Sequence, residues 1–371
     1  MTDIRAFLLA ITLVAPLSLP VSAQETACEQ PEPVCAARDA VFAISGFDPV
    51  GSAVRIGATR LVTARHTVAD QEQVIVFLAD GSQVRATPLP SDYPGDLLLL
   101  ESEGLPDGPI LIPGETTEGA LLHTVGADLG RGAVRAYDAG PLRFLPAEGF
   151  PLARLHHAAY SQPGNSGGAL VDEAGRLIGI AASGGEGRFE AIPSREIETL
   201  AARSGAEHLE ASNELGAAVR ICTLLLDQLQ LHSEPTIDDE DAKAVETSCR
   251  RSGNRQLLDL AGQALGRFGR REPAVVLFEA ALAEDPNAAN SRIGLVVTLN
   301  LAKRYEDSLP HLEWLMEHES EDLQVLRLAI QSGVWGDDRA LAERAFERLK
   351  VLNPQVAPAA KRFIDNPPPR P

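Results

Sequence analysis

The spacing of hydrophobic residues divides the chain at about residue 193. Before that point, short apolar runs alternate with Gly, Pro and Asp, and no helical spacing of apolar residues persists. Short runs bounded by turn residues predict the strands of an all-β domain. The expected strands include residues 41–44, 53–56, 60–63, 74–78, 97–100, 121–125 and 177–181.

The second part of the chain has the pattern of an all-α domain. Residues 195–232 and 239–365 are rich in Ala, Leu, Arg and Glu, with apolar residues three and four positions apart. This spacing is typical of amphipathic helices. Residues 233–241 predict a loop that leads into a helix, and the proline-rich residues 366–371 predict a disordered tail.

An internal repeat of 34 residues runs through this helical part. At steps of 34 the chain repeats a small residue, a bulky residue four positions later and an apolar residue three positions after that. The three sets are Ala274, Ser308 and Ala342; Phe278, Leu312 and Phe346; and Ala281, Leu315 and Leu349. The pattern matches the second helix of a tetratricopeptide repeat, with Pro286 and Pro354 after the first and third copies and Ser320 in the degenerate middle one. We expect two or three repeats after a divergent helical pair at about 214–250; an irregular bundle is the alternative.

The N-terminus has the features of a signal peptide, residues 1–23. Arg5 precedes a mostly apolar stretch at 7–19, which is too short to span a bilayer, and Val21-Ser22-Ala23 fits the signal peptidase pattern. Residues 24–40 then form a polar leader. The sequence predicts export to the periplasm or secretion from a bacterium, with an uncleaved membrane anchor as the alternative.

Charge and cysteine content restrict the partners and the chemistry. The chain has 371 residues and a net charge of -19, which argues against nucleic acid as a partner. Its four cysteines favour the disulfides Cys28–Cys35 and Cys222–Cys249 by chain order, although four cysteines allow three connectivities. No CxxC pair or histidine at ligand spacing occurs, so no metal is expected, and no organic cofactor is implied.

A glycine-rich segment in the β part carries the candidate nucleophile. Gly164-Asn165-Ser166-Gly167-Gly168 places Ser166 in a tight turn before a predicted strand, 169–171. Acyl transfer by a serine needs a base, an acid that orients the base, and N–H donors for the oxyanion. The N–H groups of Gly164 and Ser166, with Asn165 as a further candidate, are the expected donors. The alternative is an ordinary turn serine.

His66 and Asp96 are the expected base and orienting acid. His66 follows a predicted strand and a small residue, and Asp96 stands directly before the apolar run 97–100, where burial can fix it beside an imidazole. The competing acids, which have ordinary turn or cap interpretations, are Asp70, Asp80 and Asp92. The other histidines fit strand or helix positions: His123, His156, His157, His208, His232, His311 and His318.

The order His, Asp, Ser and the local sequences resemble the HtrA/Deg-type trypsin-like serine proteases. The matching segments are residues 51–54, 61–68, 80–82, 96–100, 162–171, 177–180 and 191–194. The resemblance covers about residues 41–200 and implies two six-stranded β-barrels with the triad between them. Residues 201–365 would then be the helical repeat domain, where the family usually has PDZ domains.

The resemblance also implies a specificity pocket, in which Tyr160 would shape the base and Ala182, Ser183 and Gly184 the wall. Because Tyr160 is not an acid, cleavage after Arg or Lys is not supported, and we expect a shallow pocket for small or apolar residues.

The sequence therefore predicts a serine endopeptidase acting on protein or peptide substrates, with repeats that bind substrate or a protein partner. No nucleic acid or stable membrane span is expected after signal cleavage. The alternative is a catalytically inactive protease-like scaffold. The chain order contradicts an α/β-hydrolase, which has its histidine last.

Overall fold

The computed structural model describes residues 28–129 and 133–370, so the predicted signal peptide lies outside the described residues. The described chain begins with helix α1 (Glu32–Ala36) and a 3-10 turn, Ala37–Ala40. Within these ranges, no helix combines the length and the apolar character needed to cross a membrane.

The first β unit is a closed six-stranded barrel. Its elements are β1 (Val41–Ser45), β2 (Gly51–Arg55), β3 (Arg60–Ala64), the short helix α2 (Arg65–Val68), β4 (Val74–Phe77), β5 (Gln83–Pro88) and β6 (Leu97–Glu101). The strands pair in the order β1, β2, β3, β6, β5, β4. In β6, Leu98 and Leu100 pack inside this barrel, whereas Leu97 and Leu99 belong to a second core that includes Val125 and extends into the next unit. Both faces of β6 are therefore buried.

The second β unit contains seven strands. They are β7 (Leu121–Asp128), β8 (Ala133–Ala136), β9 (Gly140–Phe144), β10 (Leu155–His157), β11 (Ala169–Asp172), β12 (Leu177–Gly185) and β13 (Arg188–Pro193). Pairing of β11 with β7 closes six of them into a ring, and β8 is added alongside β7. The predicted fold of two six-stranded barrels is confirmed, and its interface core contains Val62, Leu99, Val125 and Ile180.

The helical part begins with α3 (Glu196–Ala202) and a 3-10 turn, Ala206–His208. The remaining helices are α4 (Leu209–Leu231), α5 (Asp239–Arg251), α6 (Arg255–Arg267), α7 (Arg271–Glu284), α8 (Ala289–Leu301), α9 (Tyr305–His318), α10 (Leu323–Trp335), α11 (Arg339–Leu352) and α12 (Ala357–Asp365). The helices α6, α8 and α10 start 34 residues apart, and so do α7, α9 and α11. Three helical hairpins thus follow the period read from the sequence.

The repeated small residues let the paired helices approach closely. Ala274, Ser308 and Ala342 are fully buried in α7, α9 and α11. A small side chain at this position allows neighbouring helices to pack at short distance. The predicted loop also occurs, since α4 ends at Leu231 and the Asp238 carboxylate accepts a hydrogen bond of 2.8 Å from the N–H of Asp241 at the start of α5.

Two disulfides are present in the described residues, Cys28–Cys35 and Cys222–Cys249. These are the two pairs that chain order favoured. The second joins α4 to α5 and closes the divergent helical pair that precedes the three hairpins.

The helices contact both β units. An ion pair of 2.8 Å joins Arg220 of α4 to Asp70, shortly after α2. On the second barrel, His156 and the backbone N–H of Arg154 bind Asp285, while Arg143 binds Glu319 at 2.8 Å. Asp285 and Glu319 lie 34 residues apart and each follows the second helix of its hairpin. Acidic residues at equivalent positions of two repeats therefore meet basic residues of one barrel.

Candidate active site

Strand pairing brings His66 and Asp96 together. β3 and β6 are antiparallel, with Ala64 opposite Leu97, so the residues just after β3 face the residue just before β6. The backbone N–H of His66 donates to Asp96 Oδ1 at 2.9 Å, and His66 Nδ1 lies 2.7 Å from Asp96 Oδ2. With its proton on Nδ1, the ring donates to the carboxylate and leaves Nε2 free to accept a proton.

Burial and charge act in opposite directions on this pair. Burial alone lowers the pKa of His66, but the charge of Asp96 and its hydrogen bond outweigh burial, and with Asp48 they raise the pKa above its ordinary value. Burial alone raises the pKa of Asp96, but the charge and hydrogen bonds of His66, together with the charge of Arg154, lower it. Asp96 is therefore a carboxylate at neutral pH, and the imidazolium form of His66 is stabilised.

The turn that carries Ser166 is held against the first barrel. The Ser166 carbonyl accepts a hydrogen bond of 2.8 Å from the backbone N–H of Ser52 in β2, and the Ser52 hydroxyl donates to the Gly164 carbonyl at 2.7 Å. Gly167 has φ +82, and a Cβ added there would lie 2.8 Å from the backbone N of Ala64, two residues before His66. The structure thus places the turn of Ser166 beside the end of β3, two residues before His66.

Two N–H groups of this turn have no hydrogen-bond partner among the described residues. Within residues 28–129 and 133–370, the backbone N–H groups of Gly164 and Ser166 make no hydrogen bond, and neither does the Ser166 hydroxyl. The N–H of Asn165, the third expected donor, instead donates to the Gln162 carbonyl at 3.0 Å. The Asn165 side chain donates to the Ala127 carbonyl at 3.0 Å, so this residue holds the turn in place.

Three of the four residues expected in the specificity pocket lie in the β12–β13 hairpin, and the fourth packs against it. Ala182, Ser183 and Gly184 are in β12, and Gly184 pairs with Phe189 of β13. The ring of the half-exposed Tyr160 packs edge-on against Phe189, with 6.4 Å between the ring centroids. Tyr160 thus contacts the hairpin that contains the other three residues.

A buried charge cluster behind this hairpin was missed from the sequence. Glu190 of β13 accepts hydrogen bonds from the hydroxyl of Ser183 at 2.7 Å and from Arg255 of α6, and it pairs with Arg154 at 3.3 Å. Burial alone raises the pKa of Glu190, but the charges of Arg255, His156 and Arg154 lower it well below its usual value. A charged residue within the apolar run that ends the β part was the available signal.

Asn254 places the helical part next to the His66–Asp96 pair. Its side-chain oxygen caps α6 by accepting a hydrogen bond of 3.0 Å from the N–H of Leu257, and its Nδ2 lies 3.4 Å from His66 Nδ1. Because Nδ1 of His66 donates to Asp96, this contact places the start of α6 against the pair without a hydrogen bond between the two nitrogens. No pattern in the sequence linked Asn254 to His66.

The competing acids have other partners. Asp80 accepts hydrogen bonds from Ser82 in an exposed turn, Asp92 pairs with Arg203, and Asp70 pairs with Arg220. Their described contacts are those of turn and surface residues, and none of them includes His66.

Comparison with known protein families agrees with the double-barrel fold. Residues 51–180 match the trypsin-like peptidase domain family. The barrel half of this chain is similar to a trypsin-like peptidase domain, and the curated relatives that it matches are named as serine proteases of the HtrA or DegP type.

Three curated relatives show the extent of the similarity. A probable periplasmic DegP-like serine endoprotease of Pseudomonas fluorescens is 31% identical over 129 residues, which are 32% of this chain and 26% of that protein. A Do-like HtrA serine protease of Lactobacillus helveticus is 30% identical over 162 residues, 39% of each chain. The periplasmic pH-dependent serine endoprotease DegQ of Escherichia coli is 31% identical over 170 residues, 42% of this chain and 37% of that protein. The match spans well under half of each relative.

Two solved structures align with a similar part of this chain. The HtrA-type protease AlgW with tripeptide is 30% identical and aligns with 46% of this chain and 61% of its own, with a TM-score of 0.41. The Rv3671c protease in its inactive form is 22% identical and aligns with 48% of this chain and 98% of its own, also with a TM-score of 0.41.

Proposed function

We propose that this protein is a serine endopeptidase in which Ser166 is the nucleophile, His66 the general base and Asp96 the orienting acid. The observation that carries the proposal is the pair of hydrogen bonds from His66 to Asp96, one from the backbone N–H and one from Nδ1. The bond from Nδ1 fixes the tautomer in which Nε2 can accept the hydroxyl proton of Ser166.

The site chemistry follows from these groups. As the Ser166 oxygen attacks the substrate carbonyl, its proton moves to His66 Nε2, and the imidazolium is stabilised by Asp96. The unpaired N–H groups of Gly164 and Ser166 stabilise the oxyanion. His66 then gives the proton to the leaving amine, and water completes the hydrolysis by the same route. The fixed turn bond of Asn165 favours Gly164 and Ser166 as the two donors.

The substrates are polypeptides in the periplasm or outside the cell. The names of the relatives and the predicted signal peptide support this location. A shallow pocket for small or apolar side chains, bounded by Ala182, Ser183 and Gly184, is proposed because Tyr160, which packs against Phe189 of the same hairpin, is not an acid. We assign the protease domain to residues 41–200 and the tetratricopeptide-like repeats, which would bind substrate or a protein partner, to 201–365.

Labelling with a fluorophosphonate probe tests the proposal, because this reagent reacts with an activated serine. We expect wild type to be labelled and Ser166→Ala to be unlabelled while unfolding at the same temperature. Ser82→Ala, in an exposed turn, is the matched control and should label as wild type does. Folded wild type that neither labels nor cleaves casein would favour the inactive scaffold instead.

A further inference from the structure

A groove lies between the specificity hairpin and the helical repeats. It has a volume of about 590 Å³ and is bounded by the β12–β13 hairpin on one side and by residues of α6, α7, α8 and α10 on the other. Gly184 and Glu186 belong to the hairpin wall, while Leu260 and Val297 belong to the helical wall. The groove is thus formed jointly by the two halves of the chain.

Several polar side chains that line the groove have no partner in the protein. In the described parts of the chain, the side-chain amides of Gln256, Gln263 and Gln324 make no hydrogen bond, and the buried Oδ1 of Asp259 has none either. Burial raises the pKa of Asp259 to about 7, against the lowering effects of Arg255 and Ser291. A buried carboxylate oxygen without a partner is costly, and a ligand that brings a donor relieves that cost. Amide side chains can bind the backbone of an extended peptide.

The edge of β12 connects the groove to Ser166. β11 pairs with β12 as far as Ile180, and Ala181 exchanges hydrogen bonds of 2.8 Å with Gly167 and Gly168. Beyond that point, residues 182–185 of β12 pair with β13 alone among the described strands. A peptide can add to such a free edge as a further strand. Ser183, two residues beyond Ala181, is the first residue of β12 that lines the groove.

Direction and charge identify the occupant. β12 runs from Ala181, beside Ser166, towards the groove, so an antiparallel peptide runs from the groove to Ser166. The part of the peptide that precedes the scissile bond therefore occupies the groove. Arg188 already pairs with Asp322 and Glu186, and Glu190 pairs with Arg255, which leaves Asp259 as the acid among these groups with an oxygen that has no hydrogen-bond partner.

We propose that the groove binds the segment of a polypeptide substrate that precedes the bond cut by Ser166, with a Lys or Arg side chain placed against Asp259. The inference rests on the proposed peptidase function for the direction of the chain. It makes the repeats part of the substrate site, so that specificity depends on residues distant from the scissile bond as well as on the pocket beside it.

Matched peptides test the inference. The probes are fluorescein-labelled peptides of about twelve residues, with a central Leu-Ala pair and either Arg or Glu in the N-terminal half. On Ser166→Ala, anisotropy should show the Arg peptide binding about tenfold more tightly than the Glu peptide, as a charge-assisted hydrogen bond allows. The preference should be lost in Ser166→Ala with Asp259→Asn or Leu260→Lys, and kept with Glu240→Gln, an exposed acid of α5.

Leu260→Lys is used beside Asp259→Asn in case the latter fails to fold. Leu260 is 40% exposed, and its replacement by Lys leaves the buried charges intact. Equal binding of both peptides, or a preference that survives Leu260→Lys, would overturn the groove assignment. Turnover separates this result from the proposed function. Cleavage by wild type without any effect of the Arg refutes the groove alone, whereas selective binding without cleavage refutes the peptidase alone.

Discussion

Arg255, the first residue of α6, forms a buried ion pair with Glu190 of β13 across the boundary between the helical and β halves. The two side chains are 2% and 4% exposed, and Glu190 also binds the hydroxyl of Ser183 in the expected pocket wall. The position of this wall is thus coupled to a helix of the repeat array. We therefore expect a mutation in the helical part to affect the active site.

We expect Arg255→Met to lower the free energy of unfolding by about 3–5 kcal/mol, because it leaves Glu190 buried with less compensating charge. Thermal denaturation followed by circular dichroism measures the loss. Peptide hydrolysis should show a raised KM, since Glu190, which binds the hydroxyl of Ser183, is no longer held by Arg255. Arg251→Met, at an exposed position of α5, is the control and should leave both unchanged. A stable Arg255→Met protein with wild-type KM would contradict the coupling.

Asp96→Asn should reduce kcat by about 10⁴-fold, because the amide favours the wrong tautomer of His66. Steady-state hydrolysis of a fluorogenic peptide measures the effect. Asp92→Asn is the matched control, since Asp92 pairs with Arg203 on the surface. If Asp92→Asn lost activity and Asp96→Asn kept it, the orienting acid would be assigned wrongly.

The raised pKa of His66 predicts activity that begins at a higher pH than an unperturbed histidine would allow. The imidazolium form cannot accept the proton of Ser166, so kcat/KM should fall as the pH drops through the raised pKa. The negative charge of Asp48 contributes to this rise. Asp48→Asn should therefore shift the profile of kcat/KM to lower pH.

Asp80→Asn, in an exposed turn, serves as the control for that shift. An acid limb that stays in place in Asp48→Asn, or that moves to higher pH, would contradict the electrostatic assignment.

Gly167→Ala should abolish activity and destabilise the barrel interface. With φ +82, its added Cβ would lie 2.2 Å from the Ser52 carbonyl oxygen and 2.3 Å from Thr63 Oγ1. Gly149→Ala is a close control, because Gly149 has the same φ of +82 but nothing within 4 Å of an added Cβ. The control should cost about 1–2 kcal/mol from the backbone alone. Equal losses of stability in the two variants, measured by urea denaturation, would exclude the steric cause.

Local patterns in the sequence were sufficient for the strands with long apolar runs and for the helical period. The run at 97–100 was recognisable because both faces of β6 are buried, and the small residues at 274, 308 and 342 marked the helix pairs. The strands β5, β8 and β9 were not predicted in the same way. Their residues are largely exposed or half-buried, so alternation of apolar and polar residues is weak there.

The long-range contacts of the site could not be read from the sequence. His66 lies just after β3 and Asp96 just before β6, and their local motifs were enough to make them candidates. Asn254 and Arg255 lie near the site only because the helices pack on the barrel, and no local pattern reports such packing. The expectation for Asn165 likewise lacked its turn bond to Gln162, which depends on the conformation of the whole turn.

The pairing of Asp285 with His156 and of Glu319 with Arg143 fixes the position of the helical hairpins along the second barrel. The two acids are separated by one hairpin of 34 residues, and the barrel has a basic partner for each of them. An inserted or deleted hairpin between these two acids would put one of them out of register with its base. Hairpins added after α11 would leave both matches intact, so the array can lengthen at its C-terminal end without moving the catalytic half.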